Sequence, residues 1–140
     1  MTIQSATPYL ILNGRAQQAI TFYREALGAE LHALQRFGDV DQSCPEARRD
    51  LVMHAELRFG ETMVMLSDGP GEGPVPTQGA VQVALALDDA SQLRHVFAAL
   101  CASGTVIEPP MDAPWGDVFA ALGDRFGVGW MLTAPQTKGR

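Results

Sequence analysis

The stretch Phe126-Gly127-Val128-Gly129-Trp130-Met131-Leu132-Thr133 echoes an earlier one, Phe59-Gly60-Glu61-Thr62-Met63-Val64-Met65-Leu66-Ser67. Each is a Phe-Gly turn followed by a short apolar strand that closes on Met-Leu and a hydroxyl residue. Each follows another strand-like run, and each half of the chain opens on a strand and then a helix. A repeated unit constrains architecture more than any single motif, because neighbouring copies bury their apolar faces in the same way. The pattern predicts an α+β fold: tandem βαβββ modules forming an incomplete barrel or cup, whose lining decides the function.

The first half can be followed residue by residue. Pro8 to Leu12 reads as a buried strand, and Asn13-Gly14 as the turn after it, with Asn13 as helix N-cap. Ala16, Ala19, Ile20, Tyr23 and Leu27 recur at helical spacing, and Gly28 is a natural stop. Residues 29–37 read as a strand and the polar stretch 38–50, which carries Pro45, as a loop. Residues 51–59 then alternate. Leu51, Met53, Ala55, Leu57 and Phe59 point one way; Val52, His54, Glu56 and Arg58 point the other. The apolar row is expected against the helix, the second row toward solvent or a cavity. Gly60-Glu61 turns the chain into a strand over 62–67.

The second half repeats the scheme. Residues 80–87 alternate as a strand, and Asp88 or Asp89 caps a helix with the stripe Leu93, Val96, Phe97 and Leu100, ending near Gly104. Residues 105–107 read as a strand that Pro109-Pro110 breaks; 115–122 and 127–133 complete the sheet. The expectation is a single domain, 1–140, with modules 7–68 and 80–134 joined by a Gly/Pro-rich linker, 69–79.

A formal net charge of −6 supplies no basic surface for nucleic acid or anionic lipid. No apolar stretch reaches the ~20 residues of a membrane span, and no secretory leader is recognisable at the N-terminus, so a cytoplasmic location is expected. Cys44 and Cys101 have no metal or redox spacing and read as plain thiols, with a disulfide as the alternative. Gly-x-Ser-x-Gly, His-Glu-x-x-His and phosphate-cradling glycine loops are all absent.

Several segments together resemble a known family: Pro8-Tyr9-Leu10-Ile11-Leu12-Asn13-Gly14, Ala19-Ile20-Thr21-Phe22-Tyr23, Leu27-Gly28-Ala29-Glu30, Met53-His54-Ala55-Glu56-Leu57, Met65-Leu66-Ser67-Asp68, Trp115-Gly116, and Asp124-Arg125-Phe126-Gly127-Val128-Gly129-Trp130-Met131. The chain resembles the vicinal oxygen chelate (glyoxalase / bleomycin-resistance / dioxygenase) superfamily, and within it the PhnB-like branch. The resemblance implies a homodimer. It also implies metal-ligand positions at Thr7 or Pro8, Met65, Gln82 and Met131. Thioether, neutral amide and proline make a poor set for hard divalent ions. The expectation is therefore no metal cofactor, with a divalent ion as the alternative. Branch members often carry a methyltransferase label, yet this sequence lacks the glycine loop and doubly wound pattern of a nucleotide-type pocket.

The candidate catalytic residues are His54 and Glu56, two apart on one strand face, with His54 as general base or hydrogen-bond partner and Glu56 orienting it. A structural His-Glu pair, or Arg58 pairing Glu56 on a solvated face, is the competing reading. The candidate lining is Tyr9, Met65, Gln82, Trp115, Phe119 and Met131, with Trp115, Tyr9 and Phe119 as an aromatic wall. His32 and His95 read as structural. The leading expectation is metal-independent binding of a small molecule in the cup. The alternatives are a glyoxalase-type isomerase, lyase or transferase, metal-dependent or not, and a structural dimer without a ligand.

Overall fold

The computed structural model describes residues 7–69, 82–113 and 116–136. The chain divides into two compact units, Met1–Val75 and Pro76–Arg140. The first runs β1 (Tyr9–Ile11), α1 (Ala16–Leu27), β2 (Glu30–Arg36), α2 (Phe37–Val40), β3 (Val52–Phe59) and β4 (Thr62–Ser67). The second runs β5 (Val83–Ala86), α3 (Ala90–Cys101), β6 (Thr105–Asp112), β7 (Asp117–Gly123) and β8 (Gly129–Pro135). Each holds one four-stranded sheet, ordered β1-β4-β3-β2 and β5-β8-β7-β6. The expected tandem βαβββ order is therefore present.

The two sheets repeat each other in hydrogen bonding as well as in order. β1 is parallel to β4 with Tyr9 opposite Met65; β5 is parallel to β8 with Ala84 opposite Met131. Beyond each parallel pair, Leu12 N–H donates to the Ser67 carbonyl and Leu87 N–H to the Thr133 carbonyl, both at 2.8 Å. Gly60 and Gly127, the glycines of the echoed turns, have φ of 62° and 86°. That left-handed backbone is open to glycine and strained for residues with a Cβ.

Helical spacing and strand alternation converge on one core in each unit. In the first, Ala16, Ala19, Ile20 and Tyr23 of α1 and Ala55, Leu57, Val64 and Leu66 of the sheet are each at most 1% exposed. In the second, Leu93 and Leu100 of α3 and Ala120, Leu122, Trp130 and Leu132 of the sheet are fully buried. Burying each large apolar side chain contributes about 1.5–3 kcal/mol.

Four details differ from the sequence reading. Asn13 is not the N-cap of α1: it occupies a left-handed turn at φ 47°, and the cap position, Arg15, makes no side-chain cap bond. The Asp68 carboxylate, arriving from the end of β4, accepts from Gly14 and Ala16 N–H instead. The loop over 38–50 contains the one-turn helix α2 and a 3-10 turn at Glu46–Arg48. Pro109-Pro110 does not end a strand: β6 runs through both to Asp112, with register shifts flanking Glu108. β6 is the outer strand of its sheet, where a missing N–H costs no ladder bond. Finally, Val52 is fully buried although it alternates with His54, at the end of β3 where the pairing with β2 is irregular.

Other readings hold. Gly28 ends α1 at φ 68°, and Asp89 caps α3 by accepting from Gln92 N–H at 2.8 Å. Cys44 and Cys101 are free thiols.

Candidate functional site

Register sets a row of side chains on the face of the first sheet turned away from α1. Tyr9 on β1 is opposite Met65 on β4, Met65 is opposite Glu56 on β3, and Glu56 is opposite Ala33 on β2. Residues directly opposite each other project from the same face, so Tyr9, Met65 and Glu56 stand side by side. His54, two positions from Glu56 along β3, shares that face. Tyr9 is 47% exposed and the side chains of His54 and Glu56 are 26% and 30% exposed.

The polar atoms of this row join into a chain. The Tyr9 hydroxyl lies 3.2 Å from His54 Nδ1, and His54 Nε2 lies 3.0 Å from Glu56 Oε2. The Tyr9 and His54 rings are tilted by 53° with centroids 5.8 Å apart. An ionised carboxylate only accepts, so Nε2 carries a proton and donates it to Glu56. In the neutral ring Nδ1 is then the acceptor, and the Tyr9 hydroxyl donates to it. This arrangement can hold a proton at the phenol, take it onto the imidazole, and stabilise the resulting cation with Glu56. Arg58 continues the row, its Nη2 lying 3.3 Å from Nε2 of exposed His32. It does not pair with Glu56, whose bond goes to His54.

The second sheet carries a corresponding row, Ala84 (β5), Met131 (β8), Ala121 (β7) and Glu108 (β6). Gln82 sits just before β5 with its Cγ 3.1 Å from where a Gly129 Cβ would stand. Phe119 is opposite Thr133 and Met111. Gln82, Phe119 and Met131 thus share the face away from α3. Of the sequence-predicted residues, the first unit brings together Tyr9, His54, Glu56 and Met65, and the second Gln82, Phe119 and Met131. Trp115 lies outside the described residues.

The same register chooses between Thr7 and Pro8. Gln82 lies two residues before the partner of Met131, and Thr7 two before the partner of Met65, so Thr7 is the equivalent of Gln82. The metal positions implied by resemblance therefore hold a hydroxyl, two thioethers and an amide, a set that does not suit a hard divalent ion. Among the described residues, no group of three or more His, Cys, Asp or Glu side chains is placed to hold a metal.

The contact that residue-by-residue reading missed is Tyr9 with His54. They are 45 residues apart and on strands that are not neighbours; Tyr9 reaches His54 across β4. A hydrophobic strand start gives no sign of such a bond.

The profile of the Glyoxalase/Bleomycin resistance protein/Dioxygenase superfamily matches residues 6–132. The chain belongs to this superfamily. Protein YjdN of Escherichia coli (strain K12) is 29% identical over 136 residues, covering 90% of this chain and 92% of YjdN. The crystal structure of protein PA1353 from Pseudomonas aeruginosa is similar at a TM-score of 0.85 and 33% identity, covering 96% of this chain and 99% of that one. A PhnB protein from Bacillus cereus matches at 0.79 and 23% identity, over 94% of this chain and 99% of that one. That likeness shows a shared fold. No helix among the described residues of this glyoxalase-superfamily chain is long and apolar enough to cross a membrane.

Proposed function

We propose that this glyoxalase-superfamily protein binds a small organic molecule, without a metal ion, on the sheet face that carries Tyr9, His54 and Glu56. The observation that carries this reading is the Tyr9–His54–Glu56 hydrogen-bonded chain beside Met65, on the sheet face turned away from α1. A few directed polar groups set among apolar side chains is the usual make-up of a small-molecule site. In the second unit Gln82, Phe119 and Met131 would supply a lining of their own, and thioethers adapt their shape to an irregular ligand. We include in the proposal a homodimeric, cytoplasmic protein with no nucleic-acid partner.

The test is a thermal-shift screen of small organic compounds run with and without a chelator. The expected result is stabilisation by a subset of compounds, unchanged by chelation and reduced in His54→Ala. A stabilisation that chelator removes, or one stoichiometric ion per chain by elemental analysis, would overturn the metal-free reading.

A second reading, a glyoxalase-type isomerase, lyase or transferase, is favoured by one feature: the histidine is hydrogen-bonded at both ring nitrogens to groups able to exchange a proton. Turnover of any stabilising compound, lost in His54→Ala with the fold intact, would move the protein from binder to enzyme.

A further inference from the structure

Neither ring nitrogen of His54 is free. Nδ1 holds the Tyr9 hydroxyl at 3.2 Å and Nε2 holds Glu56 Oε2 at 3.0 Å. The outer end of the chain is the phenol of Tyr9, which is exposed while His54 and Glu56 are half-buried. The polarity of the chain is set from its inner end. Nε2–H donates a hydrogen bond to Glu56, the neutral ring offers the Nδ1 lone pair, and Tyr9 donates its single O–H to that lone pair. What the phenol oxygen then presents outward is acceptor capacity.

We infer that Tyr9, rather than His54, is the residue that meets the ligand, and that the ligand is a phenol or enol donating its hydroxyl to the Tyr9 oxygen. This rests on the small-molecule reading above. The neighbours of Tyr9 on its face are Met65 and the 37% exposed Ile11, whose apolar side chains suit the flat conjugated body that an acidic hydroxyl is attached to. The proton balance is closed. The ligand hydroxyl proton passes to the Tyr9 oxygen as the Tyr9 proton passes to His54 Nδ1. The imidazolium keeps its Nε2–H on Glu56, and the ligand is held as an oxyanion. Only O–H and N–H bonds change, and no oxidant or co-reactant is needed. In this scheme His54 accepts the proton that Tyr9 releases, and Glu56 is the positioning residue behind it.

The experiment compares para-nitrophenol with its methyl ether, para-nitroanisole, by calorimetric titration of the wild type and of Tyr9→Phe. The ether keeps the conjugated body and removes the donated proton. We expect the wild type to prefer the phenol by about tenfold or more, the equivalent of one hydrogen bond, and Tyr9→Phe to lose the preference. Tyr9 is surface-exposed and the variant keeps the ring, so an unchanged melting temperature confirms that it folds. Equal affinity for phenol and ether, or a preference that survives in Tyr9→Phe, would overturn the role of Tyr9 while leaving small-molecule binding in place. Failure of the wild type to bind either compound would overturn the phenol assignment, while the small-molecule reading is decided by the thermal-shift screen above. Nitrogen NMR of the histidine side chains decides the polarity without a ligand. The expected form is Nε2–H at His54, with an Nδ1 resonance that moves in Tyr9→Phe. An Nδ1–H tautomer would overturn the proposal.

Discussion

Asp68 and Val52 are joined twice: Asp68 N–H donates to the Val52 carbonyl at 2.9 Å, and Val52 N–H donates to Asp68 Oδ2 at 2.8 Å. The other carboxylate oxygen accepts from Gly14 N–H at 2.7 Å and Ala16 N–H at 2.8 Å. One buried side chain, 3% exposed, thus ties the end of β4 to the start of β3 and to the first turn of α1. Asp68→Ala leaves three backbone donors without their acceptor, each worth about 1–3 kcal/mol when buried. Two of these donors, Ala16 and Val52 N–H, are buried, so urea denaturation is expected to show a loss of about 2–6 kcal/mol. Asp68→Asn, which keeps one acceptor oxygen, should lose less. A loss below 1 kcal/mol for the alanine variant would contradict this account.

In the second unit the corresponding strain of buried polarity falls on Asp124, whose Oδ2 accepts from the indole N–H of fully buried Trp130 at 2.9 Å. Its Oδ1 accepts from Phe126 and Val128 N–H at 2.8 and 3.0 Å, shaping the turn between β7 and β8. Asp124→Ala is expected to destabilise by several kcal/mol, roughly the cost of a few unsatisfied buried donors. The Trp130 indole proton resonance should move upfield as it loses its charged acceptor. Retention of that resonance position would show that the bond does not form.

The architecture was readable from the chain because each module repeats its own local signals. Helical spacing from Ala16 to Leu27, alternation from Met53 to Phe59 and the paired Phe-Gly turns all depend on near neighbours. What could not be read depends on which strand lies beside which. Pro109-Pro110 looks like a break until β6 proves to be an outer strand. Asn13 looks like a helix cap until a carboxylate 55 positions later in the chain occupies that role. His54 and Glu56 were recognisable as a pair by their spacing of two, and their 3.0 Å contact follows from it. Tyr9 entered as a piece of aromatic wall. Its bond to His54 exists because β4 separates β1 from β3 by one strand, a width a tyrosine can span.

Gly104, which follows α3, is held by close backbone approach. A Cβ there would run into the Gly123 carbonyl oxygen and stand 3.1 Å from Asp124 Cα. Backbone atoms cannot swing aside as a flexible side chain would, so Gly104→Ala is expected to cost about 1–3 kcal/mol, the usual range for overpacking. Gly123→Ala is the matched control, because a Cβ at that position meets nothing within 4 Å. Thermal denaturation of the two variants should separate them clearly. Equal melting temperatures would mean that the backbone around Gly104 and Gly123 yields.

Ser43 donates to Asp41 Oδ1 from its hydroxyl at 2.6 Å and from its backbone N–H at 3.0 Å. These bonds, the side-chain one foremost, hold the Asp41 carboxyl below its ordinary value, with a smaller contribution from the Arg49 charge. A carboxyl with a depressed folded-state pKa stabilises the fold above its unfolded value, and that contribution is lost as pH falls through the folded value. Ser43→Ala removes the hydroxyl bond and should move the Asp41 titration upward, read by carbon NMR of its carboxyl. An unmoved titration would assign the shift to the backbone bond alone.

Glu56 separates a structural from a functional role for the relay. Its bond to His54 is about a third open to solvent, and such pairs contribute about 0.2–1 kcal/mol to stability. Glu56→Gln preserves shape and an acceptor oxygen but not the charge that would stabilise an imidazolium. Its melting temperature is therefore expected to stay close to that of the wild type. The stabilisation conferred by hydroxyl-bearing compounds should fall, because the charge that draws the proton toward His54 is gone, while stabilisation by compounds without a hydroxyl should persist. A parallel comparison of para-nitrophenol and para-nitroanisole by thermal shift reads both at once. If Glu56→Gln weakens the two equally, the carboxylate shapes the site rather than polarising it.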